Sequence, residues 1–248
     1  MIRLNGVHVI PTIFPDKTSQ VWKLDDVFTP MKALVEWDFE SEAEFMHLAQ
    51  LKHLLDIYAA KTTLRLSYLP YARQDKAVSN ANTFALTTFA KLLNSLNFTK
   101  IIIVDPHSHH GTELFYNASA EYPIKAVRQA FADTISDIAC YPDAGARSKY
   151  SFTYPFPSTY ATKVRDPATG QLSDPKLGYE ADVVGKNVLM VDDICDGGGT
   201  FIQLTKVLLT SGAKAVNLFV THGIFSKGLA PLREAGIARI FTKDGEKL

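Results

Sequence analysis

Apolar, β-rich segments alternate with helix-patterned ones along most of this chain. Residues 7–14 and 33–37 read as early strands. Ser41-Glu-Ala-Glu44 then forms a capping-box sequence, and Phe45, Leu48, Leu51, Leu55 and Tyr58 follow at helical spacing, an apolar stripe that belongs to a core. Residues 63–69 predict a strand and 84–96 a helix, and 101–104 and 138–141 are short apolar strands. Residues 188–191 read as an interior parallel strand and 201–210 as the helix after it. Residues 215–220, 229–235 and 238–242 close the pattern as strand, helix and strand. Such alternation predicts an α/β fold whose parallel sheets are covered by helices on both faces. Two similar halves would meet near residues 125–145, with domains at 1–130 and 131–248.

One segment breaks the alternation. Residues 163–178 are polar and contain two prolines and two glycines, too many breakers for a tight connection. They read either as a lid carrying Lys163 and Arg165 or as an inert surface insertion.

Composition narrows the class. A chain of 248 residues, 46% hydrophobic and 21% charged, can build a sizeable core in one large or two small domains. Lys plus Arg and Asp plus Glu both number 26, so no global field recruits nucleic acid or a membrane surface. Cys140 and Cys195 make no disulfide framework, and no run approaches membrane-spanning length; both point to the cytoplasm.

The chemistry concentrates in residues 188–200. Asp192 and Asp193 follow the apolar run, then Asp196, Gly197, Gly198, Gly199 and Thr200 open a helix. Three glycines let backbone N–H groups close around an anion, and a helix start adds the positive end of its dipole. Carboxylates beside a phosphate cradle repel the ligand unless a sugar or a hydrated cation lies between, so the stretch predicts a phosphorylated-sugar site. Cys195, among acids that raise its pKa, reads as a filler rather than a nucleophile. Other polar clusters fall where strands end, the place where open α/β sheets bind ligands: 68–76, 105–111 and 142–147. His107, His109 and His110 would suggest zinc only if further ligands converged on them.

Together these stretches resemble the ribose-phosphate pyrophosphokinase (phosphoribosyl pyrophosphate synthetase) family. Tyr71-Ala-Arg-Gln-Asp-Lys76 is similar to its Tyr-Ala-Arg-Gln-Asp-Arg motif, Val104-Asp-Pro-His107 to Val-Asp-Leu-His, and Pro142-Asp-Ala-Gly145 to Pro-Asp-x-Gly. Residues 191–200 resemble the ribose-phosphate loop, and Thr221-His-Gly-Ile-Phe-Ser226 the Thr-His-x-x-Phe-Ser motif.

The resemblance implies two tandem phosphoribosyltransferase-like domains, the first on the nucleotide side and the second on the ribose-phosphate side. It implies transfer of the β,γ-diphosphate of ATP to the anomeric hydroxyl of ribose 5-phosphate, with AMP leaving and Mg²⁺ as cofactor. Phe14, Asp16, Arg73, Gln74 and Lys76 match nucleotide-binding positions, and His107 and Asp143 match positions that hold the metal. Lys163 and Arg165, with His107, match catalytic positions, while Asp192 and Asp193 would bind ribose hydroxyls and residues 196–200 its phosphate. Because the Phe14 loop would complete a neighbour's site, a homodimer or larger homo-oligomer is expected.

Several positions depart from the family pattern. Thr18 stands where an acid is usual, Lys76 replaces an arginine, and Gly197 replaces a threonine whose hydroxyl bonds the phosphate. The chain is also shorter than typical members at both ends, which argues against regulation by ADP or phosphate. Gly197 opens an alternative, in which the acceptor is a larger ribose 5-phosphodiester such as ADP-ribose. A non-catalytic regulatory homologue is a further alternative, and a plain phosphoribosyltransferase would explain the 192–200 loop but not 71–76.

Overall fold

Asn5-Gly6 sets the start of the fold. Both residues take positive φ (51° and 85°), the turn that matches the twist of a two-residue hairpin, and they join β1 (Ile2–Leu4) to β2 (Val7–His8). The expected strand 7–14 is therefore interrupted: Pro11 follows β2, and the chain re-forms as a separate hairpin of β3 (Thr12–Ile13) and β4 (Ser19–Gln20). The computed structural model describes residues 1–22, 24, 32–58, 61–77, 81–151, 153–162, 175–178 and 180–248.

They group into two units, Met1–Glu121 and Tyr122–Leu248. The first continues with β5 (Lys32–Trp37), α1 (Glu44–Ile57), β6 (Lys61–Leu66), α2 (Ala85–Ser95), β7 (Lys100–Val104), a single turn α3 (His110–Glu113) and β8 (Ala118–Glu121). Its sheet runs β2-β1-β5-β6-β7-β8, parallel from β5 onward and antiparallel at β1 and β2. Val35, Trp37, Leu64, Leu66, Ile101 and Ile103 turn one face of this sheet to the apolar stripes of α1 (Leu48, Leu51, Leu55) and α2 (Leu86, Phe89, Leu93). Each such side chain contributes about 1.5–3 kcal/mol by leaving water. The opposite face differs from the expected apolar layer. There Arg65 of β6 bridges Glu36 on the adjacent β5 (3.8 Å) and Glu121 on β8, one strand further over (2.7 Å).

The capping-box reading of 41–44 is half right. Helix α1 begins two residues later than a Ser41 cap requires, and its N-cap, Ala43, has no side-chain bond. Glu44 instead accepts from the Trp37 indole (2.9 Å) and the Glu40 amide (2.8 Å), tying the helix start to the end of β5.

The second unit holds α4 (Ile124–Asp133), β9 (Ile138–Tyr141), α5 (Ala144–Tyr150), β10 (Ser158–Thr162), β11 (Lys176–Leu177), a 3₁₀ turn (Glu180–Val183) and β12 (Asn187–Cys195). It continues through α6 (Gly199–Thr210), β13 (Ala215–Gly223), α7 (Ala230–Glu234), β14 (Ile237–Thr242) and β15 (Gly245–Lys247). Sheet order is β11-β10-β9-β12-β13-β14-β15, a parallel centre with antiparallel edges. Here both faces are covered. Val188 and Met190 pack with Phe201, Leu204 and Leu208 of α6, whereas Leu189 and Val191 pack with Val127 of α4 and Tyr150 of α5. Alternate residues of β12 thus serve two cores, which is why residues 188–191 are apolar throughout rather than alternating. Helix α4, with Val127 and Ala130 buried, belongs wholly to the second unit, so the chain divides ahead of it rather than within it.

Candidate functional site

The acid pair stands inside a strand, not beyond one. β12 was expected to end at 191, but β13 offers in-register partners further on: Asp192 pairs with Val220, Ile194 with His222 and Cys195 with Gly223. Backbone pairing therefore holds both carboxylates at the end of the central strand. Asp193 is buried, and Lys149 of α5 places its Nζ 3.4 Å from the Asp193 Oδ2. Asp192 accepts from the Asp193 amide at 2.9 Å. Burial, then the Asp193 charge, then that of Asp143 push the Asp192 carboxyl well above the ordinary aspartate range. Three carboxylates thus act on one another here, with one ammonium against them.

Asp143 is also the N-cap of α5, its Oδ1 accepting from the Ala146 amide at 2.9 Å. The same short helix carries Lys149, a residue missed in the sequence. Its signal was available: a capping Asp after a strand predicts a helix whose side chains face the strand ends.

The glycine loop divides its work unequally. Gly198 caps α6 at φ 76°, ψ 0°, and a Cβ there would lie 2.7 Å from the Cδ2 of buried Leu232. Gly199 faces open space, and a Cβ on Gly197 would touch only the Lys227 stem. Helix α6 starts at Gly199, earlier than the expected 201, and its first backbone bond to a carbonyl four residues back is Ile202 N–H to the Gly198 carbonyl (3.0 Å). The preceding turn presents N–H groups without intrahelical acceptors, together with the positive end of the helix dipole. Asp196 and Thr200, both half-buried, flank this turn. Cys195 beneath it is buried, and burial, then the neighbouring Asp192 and Asp196 charges, push its thiol up to about 12. It is no nucleophile near neutral pH.

The turn after β13 is fastened to this loop. The Cys195 carbonyl accepts from the Ile224 amide (2.9 Å) and the Phe225 amide (3.1 Å). Phe225 takes φ 48°, and its ring lies where a Cβ on Gly223 would be, 2.0 Å away. The Thr221-His-Gly motif therefore needs its glycine to let the chain fold back.

In the first unit, the candidate nucleotide residues ride on two loops beyond strand ends. After β6, Tyr71 takes φ 63°, packs 5.4 Å from the Phe89 ring and donates to Glu42 at 2.5 Å, a bond that raises its phenol pKa. Tyr71 roots the loop, while Arg73, Gln74 and Lys76 are exposed. After β7, Asp105 is buried at φ 47° and donates its amide to the Glu121 carbonyl (2.9 Å), leaving His107 exposed at the tip. A Cβ on Gly111 would lie 2.6 Å from Pro106 and 3.3 Å from Leu69, so the two loops meet there. Tyr71, Asp105 and Phe225 are three of the eight non-glycine residues with positive φ among the described residues, a conformation that carries a backbone cost.

Among the described residues the zinc alternative gains one ligand and loses another. Glu113 converges with His109 and His110 to within 4.8 Å, but His107 is not part of that group. Their side chains are 40–70% exposed and pair along one helical turn, at 3.8 and 3.6 Å. In the β3–β4 hairpin, Thr18 donates its amide (3.0 Å) and hydroxyl (2.7 Å) to Asp16, and these bonds lower the Asp16 carboxyl. The family's missing acid has thus become a donor to the one that remains, with Phe14 exposed beside it. Lys163 and Arg165 lie outside the described residues.

Residues 144–242 match a family described as the phosphoribosyl synthetase-associated domain. A ribose-phosphate pyrophosphokinase of Saccharolobus solfataricus is 27% identical over 239 residues, which is 93% of this chain and 82% of that protein. Over most of its length the chain is similar to the ribose-phosphate pyrophosphokinases. A relative of the same name from Pyrococcus furiosus is 30% identical over 177 residues, covering 68% of this chain but 61% of its own length. The chain thus spans about four fifths of one curated relative and about three fifths of the other. The phosphoribosylpyrophosphate synthetase of Mycobacterium smegmatis shares the fold at a TM-score of 0.76 and 22% identity, over 95% of this chain and 79% of that one. No helix among the described residues is long and apolar enough to cross a membrane.

Proposed function

We propose that this protein is a ribose-phosphate diphosphokinase. It transfers the β,γ-diphosphate of ATP to the anomeric hydroxyl of ribose 5-phosphate, forming phosphoribosyl pyrophosphate and releasing AMP. The observation that carries this reading is the end of β12. Two crowded carboxylates lead directly into a glycine cradle at a helix start, so one ligand must offer hydroxyls to the acids and phosphate to the loop. A ribose phosphate does both. On this reading Asp192 and Asp193 orient the ribose, and Asp196, the three glycines and Thr200 hold its phosphate. The attacking hydroxyl is thereby aimed at the β-phosphorus, and positioning with charge neutralisation lowers the barrier.

Arg73, Gln74, Lys76, Phe14 and Asp16 are assigned to ATP, as the motifs imply, and Lys163 and Arg165 to charge on the transferring group. The basic pair brings donors that hold the diphosphate as its bond to AMP breaks. Mg²⁺ fits the carboxylate set. Mutual repulsion among Asp143, Asp192 and Asp193 is relieved by a cation, and their carboxylate oxygens suit a hard one. Asp143 and His107 are its assigned ligands, and bound Mg²⁺ would neutralise polyphosphate charge. A cytoplasmic homodimer or larger homo-oligomer, with the Phe14 hairpin completing a neighbour's site, belongs to the same proposal.

The test is product analysis. Purified protein with ATP, Mg²⁺ and ribose 5-phosphate is expected to yield AMP and a diphosphorylated ribose in equal amounts. Absence of AMP with every sugar acceptor would overturn the reading. Gly197 supports a second reading, because only the Lys227 stem borders the space its side chain would fill. A ribose 5-phosphodiester such as ADP-ribose then becomes the acceptor. Direct competition between the two acceptors separates them.

A further inference from the structure

We infer that Lys227 is a specificity-determining residue of the phosphate cradle, its ammonium binding the acceptor's 5-phosphate in place of the hydroxyl that Gly197 lacks. This rests on the ribose-phosphate reading of the loop. Three observations carry it. First, the side chain is held against the loop: its Cε, Cδ and Cγ lie 3.5, 3.6 and 3.9 Å from the position a Cβ on Gly197 would occupy. Those are ordinary contact distances, so the stem runs along the cradle and the ammonium lies one bond beyond Cε.

Second, the backbone that carries Lys227 is fixed. The amides of Ile224 and Phe225 both bond the Cys195 carbonyl, and Gly228 donates back to the Phe225 carbonyl at 2.8 Å. A lysine in this turn therefore projects from a defined point rather than from a free loop. Third, the charge needs it. Asp192, Asp193 and Asp196 lead into the cradle along the chain, and Lys149 is committed to Asp193 at 3.4 Å. Lys227 has no hydrogen-bond or ion-pair partner among the described residues. An incoming phosphate dianion thus meets one uncommitted ammonium at the rim of the loop. Lysine suits this role as a point charge on a flexible stem, where a threonine hydroxyl would demand one geometry.

The substitutions Lys227→Met and Lys227→Arg test it, since Met keeps the stem's packing and removes only the charge. The readout is AMP release against ribose 5-phosphate concentration, with circular dichroism melting as the folding control. Lys227→Met should raise KM for ribose 5-phosphate about tenfold or more, while kcat and KM for ATP change far less. Lys227→Arg should recover most of the loss. The inference is overturned if KM for ribose 5-phosphate stays within about twofold of wild type, or if KM for ATP rises in parallel. Calorimetric titration with ribose 5-phosphate alone separates the two levels of the argument. A wild type that binds the sugar phosphate but releases no AMP loses the diphosphokinase reading. Lys227→Met binding as tightly as wild type loses the lysine.

Discussion

Gly198→Ala isolates what the cradle's central glycine does. At φ 76°, ψ 0° an alanine sits in the left-handed region, costing about 1–2 kcal/mol from contact between Cβ and backbone. The same Cβ would lie 2.7 Å from the Leu232 Cδ2 and 3.2 Å from its Cγ, and Leu232 is 2% exposed in a packed core. The methyl end can swing about χ2, but moving Cγ needs a new χ1 rotamer inside a packed core, so overpacking adds about 1–3 kcal/mol. The expected sum is about 2–5 kcal/mol of lost stability. Urea unfolding followed by far-ultraviolet circular dichroism measures it. Repeating Gly198→Ala in a Leu232→Ala background removes the steric share, so the cost should fall to the backbone share of about 1–2 kcal/mol. An unchanged cost in that background refutes the clash, and no cost in either background refutes both halves of the reasoning.

Lys149→Met leaves the buried Asp193 carboxylate without its ammonium. Removing one partner of a fully buried pair costs about 3–5 kcal/mol, and the partly exposed lysine stem and 3.4 Å separation reduce the expectation to about 1–3 kcal/mol. Urea midpoints at neutral pH should show this loss, and an unchanged midpoint would count against the ion pair. Removing the Asp192 charge has the opposite effect. Its folded pKa is raised, so in metal-free buffer with chelator its contribution is intact below the unfolded value and declines as pH rises through the folded one. Asp192→Asn should therefore melt progressively higher than wild type as pH increases from 4 toward neutrality, and a constant gap would contradict the crowding of the three acids.

Much of this was legible because it is local. The apolar run of β12 declared a strand buried on both faces, and the acids and glycines after it declared a ligand site. The strand's end was misplaced by the same reasoning. Carboxylates look like the close of a strand, yet pairing with β13 through Gly223 carries β12 past both. Helices α4 and α5 were missed because each buries only a narrow apolar face, Val127 and Ala130 in one, Ala146 and Tyr150 in the other.

The site's cations were hidden for a different reason. Lys149 reaches Asp193 from another helix, and Lys227 meets Gly197 from another strand's turn. Neither pairing leaves a mark at any fixed spacing along the chain. Motif reading finds residues that share a loop, and it is blind to a side chain lost in one loop and supplied by another. Gly197 and Lys227 are such a pair. The glycine reads as a defect until the fold lays a lysine stem across it, and then its missing side chain is what gives that stem room.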